Sequence, residues 1–194
     1  RALQNRFADQ YPYRRFERGC GFFSRYPIRE YEAFQLVPGE GGRVQQFVLD
    51  IEGHSLNVLS VHLRSPPLRG VHLLGLPLGI PTGFDNTKRD ADVRALLARL
   101  DGMETPLVVM GDFNLTNQQP LYPLLPRRLR NAHRESGWGL GFTFTRFPRL
   151  GLPTWRIDYV FHSPDLVALS TTVGDWGGSD HRPVIARLAF SAPE

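Results

Sequence analysis

Cysteine is nearly absent from this 194-residue chain, in which Cys20 stands alone. A single thiol excludes an internal disulfide and a thiolate zinc cluster. Its neighbours Gly19, Gly21, Phe22 and Phe23 mark it as a small packing residue rather than a nucleophile. No apolar run approaches the roughly 20 residues needed to span a bilayer. The chain opens on Arg1-Ala2-Leu3 with neither a signal-peptide pattern nor an initiator methionine, so a processed or truncated product is expected. That leaves the compartment open, with room for a membrane segment upstream of Arg1, and a lone thiol does not contradict a site outside the cytoplasm. The absence of any His-x-x-x-His pair removes support for a zinc hydrolase. No Gly-x-x-x-x-Gly-Lys loop and no Gly-x-Ser-x-Gly elbow occur, and no repeat, low-complexity tract or linker divides the sequence.

The remaining composition, 41% hydrophobic and 22% charged, is that of an ordinary globular domain. Residues 1–194 are therefore read as one domain with a substantial core. The net charge of +4 and pI near 9.6 lean weakly toward an anionic partner. Much of the basic excess is arginine (Arg14, Arg15, Arg18, Arg25, Arg127, Arg128, Arg130, Arg134), which pairs with phosphate as a fork; a merely solvated surface explains it equally well.

Leu3 to Phe16 suggests a helix end stopped by Pro12, followed by a short strand at Phe22-Phe23-Ser24. Arg43 to Ile51 alternates polar and apolar, Glu52-Gly53 makes a turn, and Ser55 to Leu63 returns as the second strand of a hairpin ending in His62. Ser65 to Thr82, rich in proline and glycine, reads as a long surface loop. Asn86 to Leu100 predicts a helix capped by Asn86, with Val93, Leu96, Leu97 and Leu100 as its apolar stripe. Leu107 to Met110 fits a fully buried strand. Further strands are predicted at Phe142–Phe147, Arg156–His162, Val167–Val173 and Val184–Phe190. One strong helix among many locally paired strands predicts an α+β sandwich.

Polar side chains concentrate where apolar strands end. Gly111-Asp112-Phe113-Asn114 closes the buried strand, and residues two apart on extended backbone face the same way. The Asp112 carboxylate can take a proton from water, and the Asn114 amide can donate to a phosphate oxygen or ligate a hard cation; an Asx-turn explains the pair alone equally well. Asp158, within Arg156-Ile157-Asp158-Tyr159-Val160-Phe161, is expensive to bury unpaired. His181 is its natural partner, Arg156 the alternative. Asp180 and His181 diverge along Ser179-Asp180-His181-Arg182-Pro183-Val184, so His181 would face a phosphate and Asp180 a metal or its water shell, unless the segment is simply a polar loop. His62 by itself reads as an edge residue of its strand. His54, His72, His133 and His162 read as surface or packing residues.

In order, the strand with His62, GDFN at 111–114, RIDYVF at 156–161 and SDHRPV at 179–184 resemble the endonuclease/exonuclease/phosphatase superfamily, the DNase I-like hydrolases. Gly21 to Ile28 is similar to that family's early strand and turn. The resemblance implies a four-layer α/β-sandwich, two packed and mostly antiparallel sheets flanked by helices. It implies hydrolysis of a phosphate ester assisted by Mg2+ (or Mn2+), with Asp112 activating water and Asn114 holding the phosphate. His181 supported by Asp158 would contact the phosphate oxygens, His62 would help from the facing sheet, and Asp180 would serve the metal. Family members also carry an asparagine and a metal-binding glutamate on two early strands. Nothing here matches that pair, and Glu17, Glu30 and Glu32 sit in turn-like or surface contexts. Either the principal ligand lies upstream of Arg1 and the domain is N-terminally truncated, which is the reading taken, or this chain has lost that carboxylate. This chain alone is then expected to bind Mg2+ poorly, to turn over slowly or not at all, and to expose apolar sheet edges.

The substrate is expected to be nucleic acid, or a lipid or small-molecule phosphate. The apolar 65–82 segment suits a lipid surface as well as a buried flap. No obligate protein partner is evident and a monomer is expected. A non-catalytic phosphate- or protein-binding module on the same scaffold is the alternative.

Overall fold

The computed structural model describes residues 7, 9–17, 20–39, 41–73, 76–145 and 154–191, with the backbone course alone for 68–82. At its centre is a six-stranded sheet built from β3 (Ile28–Gln35), β4 (Arg43–Ile51), β5 (His54–His62), β8 (Leu107–Asp112), β10 (Asp158–His162) and β9 (Arg130–Asn131), side by side in that order. The β4–β5 hairpin turns at Glu52 and Gly53, both with positive φ, as the glycine after Glu52 predicts. β5 and β8 run parallel and the other pairs antiparallel.

Alternation along the strands feeds two cores, one on each sheet face. Leu59, Val61, Leu107, Val109 and Phe161 pack against Val93, Leu96 and Leu100 of α1 (Thr87–Leu100) and against Tyr122 and Leu125 of a 3-10 turn (Tyr122–Arg127). On the opposite face lie Phe47, Leu49, Leu56, Val58 and Val108, with Phe22 stacked on Phe47 at 3.8 Å between ring centroids. β8 feeds both cores, which is why its sequence is continuously apolar. Two ribbons cover this second face: β1 (Tyr13–Glu17) with β2 (Cys20–Ser24), and β11 (Leu166–Val173) with β12 (Val184–Phe190). Between them an apolar groove of about 400 Å³ is lined by Phe22, Leu56, Val58, Val108, Met110 and Leu188. The short α2 (Ala132–Ser136) is tied to β11 by Ser136 Oγ and Thr171 Oγ1, 3.0 Å apart.

Several local expectations are corrected. Tyr13–Glu17 is a strand rather than a helix end, because pairing with Cys20–Ser24 satisfies its backbone and sets Phe16 edge-on to Phe23. Ile28–Gln35 is an eight-residue strand, and Glu30 and Glu32 are exposed on it rather than in turns. The expected 65–82 loop is largely a hairpin, β6 (Leu68–Leu73) and β7 (Leu76–Phe84), whose register shifts accommodate its prolines and glycines. Phe144 makes single bridges to Trp155 and His181 rather than belonging to a full strand over 142–147, the last two residues of which lie outside the description. β10 begins at Asp158, two residues later than expected. The Asn86 side chain does not cap α1; Asp85 instead accepts from Thr87 N at 3.1 Å and Thr87 Oγ1 at 2.7 Å.

Gly111 is where this packing is least tolerant. Its φ is +133°, and a Cβ there would lie 2.0 Å from the Val61 carbonyl oxygen of β5. Gly111→Ala is expected to cost about 3 kcal/mol or more, since both the backbone conformation and the β5–β8 spacing must change. Urea denaturation of the variant checks this, and a loss below about 1 kcal/mol would contradict it.

Candidate active site

Register aligns the site. His62 is the Cα partner of Asp112 across β5–β8, and Asp112 is the partner of Asp158 across β8–β10. Three polar residues thus form one row across three adjacent strands, where each strand runs out of apolar sequence. Their side chains share the face that carries Val58, Val108 and Met110 further along, since residues two apart on a strand point alike. His181 comes from outside the row. Its segment is held by Thr145 N donating to Asp180 O at 2.9 Å and Arg182 N donating to Thr143 O at 2.7 Å. Its ring lies 4.9 Å from that of Phe144.

Asp158 meets His181: Nδ1 lies 3.0 and 3.2 Å from the two carboxylate oxygens. The alternative partner is elsewhere, with Arg156 reaching His133 Nδ1 at 2.9 Å and lying over the Tyr159 ring. The hydrogen bond to Asp158 raises the His181 pKa against the opposing effect of burial. His62 differs. Burial and the positive charge of Arg43 lower its pKa, so it is neutral at neutral pH. At 3.7 Å its contact with Asp112 is longer than a hydrogen bond and is no ion pair.

Asp112 is pushed up to a pKa of about 6 by burial and by the nearby Asp158 carboxylate, despite two hydrogen bonds that favour its ionised form. Those bonds come from Asn114, whose backbone N donates to Asp112 Oδ1 at 2.8 Å and whose Nδ2 donates to Oδ2 at 3.0 Å. The first is the Asx-turn considered above, so turn and site coexist. Asn114 holds φ +47°, which its short amide tolerates better than most side chains. The other Nδ2 hydrogen goes to Leu63 O at 2.9 Å, so both amide hydrogens are engaged and Asn114 braces Asp112.

Asp112, Asn114, His62, His181 and Asp180 line one cleft of about 510 Å³ together with Phe84, Phe144, Trp155 and Ile157. A second opening of about 340 Å³ reaches Asp112, Asp158, His62 and His181 past Arg43 and Ser60. Asp180 is exposed at the rim. Ligand atoms of Asp112, Asp158 and His181 lie within 4.8 Å of one another, and Asp180 is not in that group. Two neighbouring carboxylates, one of them raised to a pKa of about 6 by burial and by the other's charge, suit a hard divalent cation, which relieves the repulsion and takes oxygen ligands.

Sequence reasoning missed what braces these groups. Arg89, 1% exposed, donates to Asn114 O at 3.1 Å and to Gln119 Oε1 at 2.7 Å. Asp92, fully buried, accepts from Arg64 N, Nε and Nη2 at 2.8–3.1 Å just beyond His62. Both continue the α1 apolar stripe backward, Arg89 four residues before Val93 and Asp92 four before Leu96, and charge on a stripe was the available signal. Asp92→Ala is expected to lose about 2–4 kcal/mol by leaving the Arg64 guanidinium without its buried carboxylate. Chemical denaturation measures this; stability within about 0.5 kcal/mol of the parent would refute it. Of the remaining histidines, His54 is exposed, His133 packs with Arg156, and buried His162 meets Glu135 at 2.9 Å. The His72 side chain lies outside the description.

A layered sandwich with carboxylates and imidazoles gathered at one sheet end is a DNase I-like α/β-sandwich. The chain belongs to the Endonuclease/Exonuclease/phosphatase family, whose model matches residues 2–181. Members of that family are hydrolases of phosphate esters and are generally metal-dependent. No curated protein matches the chain by sequence. Among solved structures it is similar to a Bacteroides thetaiotaomicron mannosyl-6-phosphatase (18% identity, TM-score 0.63, covering 88% of this chain and 70% of that one). It is also similar to the human Nocturnin catalytic domain with bound sulfate (19%, 0.62, 88% and 63%) and to truncated Caenorhabditis elegans TDP2 (16%, 0.70, 98% and 79%). These likenesses extend to the fold.

Proposed function

We propose that this chain is a metal-assisted phosphoesterase in which Asp112 activates water for attack on a phosphate ester lying in the 510 Å³ cleft. The observation that carries it is the register row His62–Asp112–Asp158 with His181 closing on its end. Asp112 accepts the proton of the attacking water once ionised, and its pKa of about 6 is close to what a base at neutral pH needs. Asn114 orients it, and exchanging the bond to Asp112 for one to a phosphate oxygen lets the amide hold substrate. His181, kept cationic by Asp158 through Nδ1, has Nε2–H free to donate to a non-bridging oxygen. Neutral His62 contributes a second imidazole across the row. Asp112 and Asp158 would hold a divalent cation, which would supply charge stabilisation on the phosphate, and Asp180 at the rim adds negative charge nearby. These groups position the reactants and stabilise charge, which is most of what phosphoryl transfer requires.

The esterified group faces Phe84, Phe144 and Trp155. Phe84 meets Trp155 edge-on at 6.0 Å, and Phe144 lies parallel to Trp155 at 5.9 Å. This wall favours a phosphate ester with an apolar or planar alcohol over a bare sugar phosphate. Single-turnover assays on plasmid DNA, inositol phosphates and lipid pyrophosphates in 10-fold steps of Mg2+ and Mn2+ test the reading. Hydrolysis that rises with the cation into the millimolar range and vanishes in the Asp112→Ala, His181→Ala double variant is expected. Turnover unchanged in that variant, or stoichiometric metal-independent binding with no turnover, would replace the enzyme by a binding module.

A further inference from the structure

The two most exposed large apolar side chains among the described residues are Trp138 (96%) and Leu140 (72%). They alternate with glycine in Gly137-Trp138-Gly139-Leu140-Gly141, and Gly139 and Gly141 both hold positive φ. Both ends of this loop are fastened. Gly137 N donates to His133 O at 3.0 Å and Gly137 bridges Thr171 of β11. A Cβ at Gly137 or Gly141 would come within 2.6 or 2.5 Å of the buried His133 ring. The glycines thus let the loop close tightly on His133 while its tip carries an indole and an isobutyl group into solvent. Nothing in that backbone geometry calls for apolar side chains at 138 and 140, and leaving them in water is unfavourable.

We propose that this loop is an interfacial anchor that inserts Trp138 and Leu140 into the headgroup boundary of an anionic lipid bilayer. Tryptophan is the side chain best suited to that depth, apolar over its body with one N–H for the wet side. Two isolated side chains are far smaller than the roughly 800 Å² per partner of a stable protein interface, whereas insertion into lipid requires no complementary surface. Charge agrees. From Pro126 to Gly141 the chain carries exposed Arg127, Arg128, Arg130 and Arg134 and a single acid, Glu135, which is turned onto His162. Arg128 is shared with Asp101 at 3.0 Å, and the other three supply the attraction to acidic headgroups. Phe144, four residues beyond Leu140, forms part of the cleft wall beside His181, so the loop and the cleft are joined by a short stretch of chain. The inference stands on exposure and charge and does not depend on which phosphate ester is hydrolysed.

Co-sedimentation of the full chain with vesicles of phosphatidylglycerol and phosphatidylcholine, against phosphatidylcholine alone, tests it. The parent is expected to bind the anionic vesicles and to release as salt is raised. Trp138→Ser with Leu140→Ser is expected to weaken binding tenfold or more without moving the melting temperature, since both side chains are in solvent. Arg127→Gln, Arg130→Gln and Arg134→Gln together are expected to weaken it comparably at low salt. Trp138→Phe should keep binding but lose most of the quenching of tryptophan emission by brominated lipid, Trp155 and Trp176 remaining. Absence of parent binding to anionic vesicles overturns the proposal, as does equal binding by the serine variant. Self-association in ultracentrifugation that the serine variant abolishes, with no vesicle binding, would make the loop a protein contact instead.

Discussion

Replacing Asp112 with asparagine is expected to abolish the slow phosphate-ester hydrolysis of this chain while making the fold more stable at pH 8. The rate loss follows from removing both the proton acceptor and one of two carboxylates that would hold a cation. The stability gain follows from the raised pKa. A free aspartate titrates near 3.8, and in the folded chain Asp112 titrates at about 6. Between those values the folded state keeps a proton that the unfolded chain has released, so stability falls as pH rises through this window and stays lower above it. Two pKa units correspond to about 3 kcal/mol. Asparagine keeps the acceptor for Asn114 N but loses the bond from Asn114 Nδ2, which takes back about 1 kcal/mol. A net gain of about 1–2 kcal/mol at pH 8 is therefore expected, and none at pH 4, where the parent carboxyl is largely protonated in the folded state. Urea midpoints at the two pH values, with rates measured at pH 8 in excess Mg2+, decide it. A variant equally destabilised at both would mean that the Asp112 carboxylate is comfortable where it sits, and its role as a tuned base would fall.

The parts of this molecule legible in its sequence are those fixed by local periodicity. The β4–β5 hairpin, α1, the buried β8 and the final strand follow from alternation, an apolar stripe and a continuous apolar run. The gathering of Asp112, Asp158 and His181 was also legible, because each interrupts or closes an apolar stretch where a polar side chain needs a partner. What could not be read depends on distant chain. Ile28–Gln35 looks like surface because only one face is partly covered, and β4 decides its conformation. The 65–82 hairpin hides behind proline and glycine, which signal turns locally but fit a strand pair with shifted register. Asn114 looked like a donor waiting for phosphate. Only the fold, by bringing Leu63 O and Asp112 Oδ2 to the same amide, shows both hydrogens already engaged.

Asp158→Asn is expected to move the whole pH profile of hydrolysis toward acid and to cut the rate at pH 8 by about 100-fold. Asp112 ionises near pH 6 in the metal-free chain, and activity in the parent should rise as it ionises, at a pH that a bound cation lowers, and fall as His181 loses its proton. Asp158 works on both limbs. Its hydrogen bond holds the His181 pKa above the ordinary value against burial, and its charge contributes to the elevation of Asp112. Removing that charge lets burial prevail at His181, which then becomes neutral at lower pH. It also allows Asp112 to ionise at lower pH, so the acid limb shifts in the same direction. A carboxylate that merely braced β10 against the His181 segment would change the height of the profile and leave both limbs in place. The shift is therefore the diagnostic, and it survives partial loss of folding, because each limb is read from relative rates within one preparation. His62 supplies the internal contrast. Its pKa is already lowered by burial and Arg43, so it is neutral on the alkaline side and its replacement should lower the rate without moving the alkaline limb. If the alkaline limb of Asp158→Asn coincides with that of the parent, His181 does not act as a cation held by Asp158, and the charge on the phosphate must be met by other groups of the cleft.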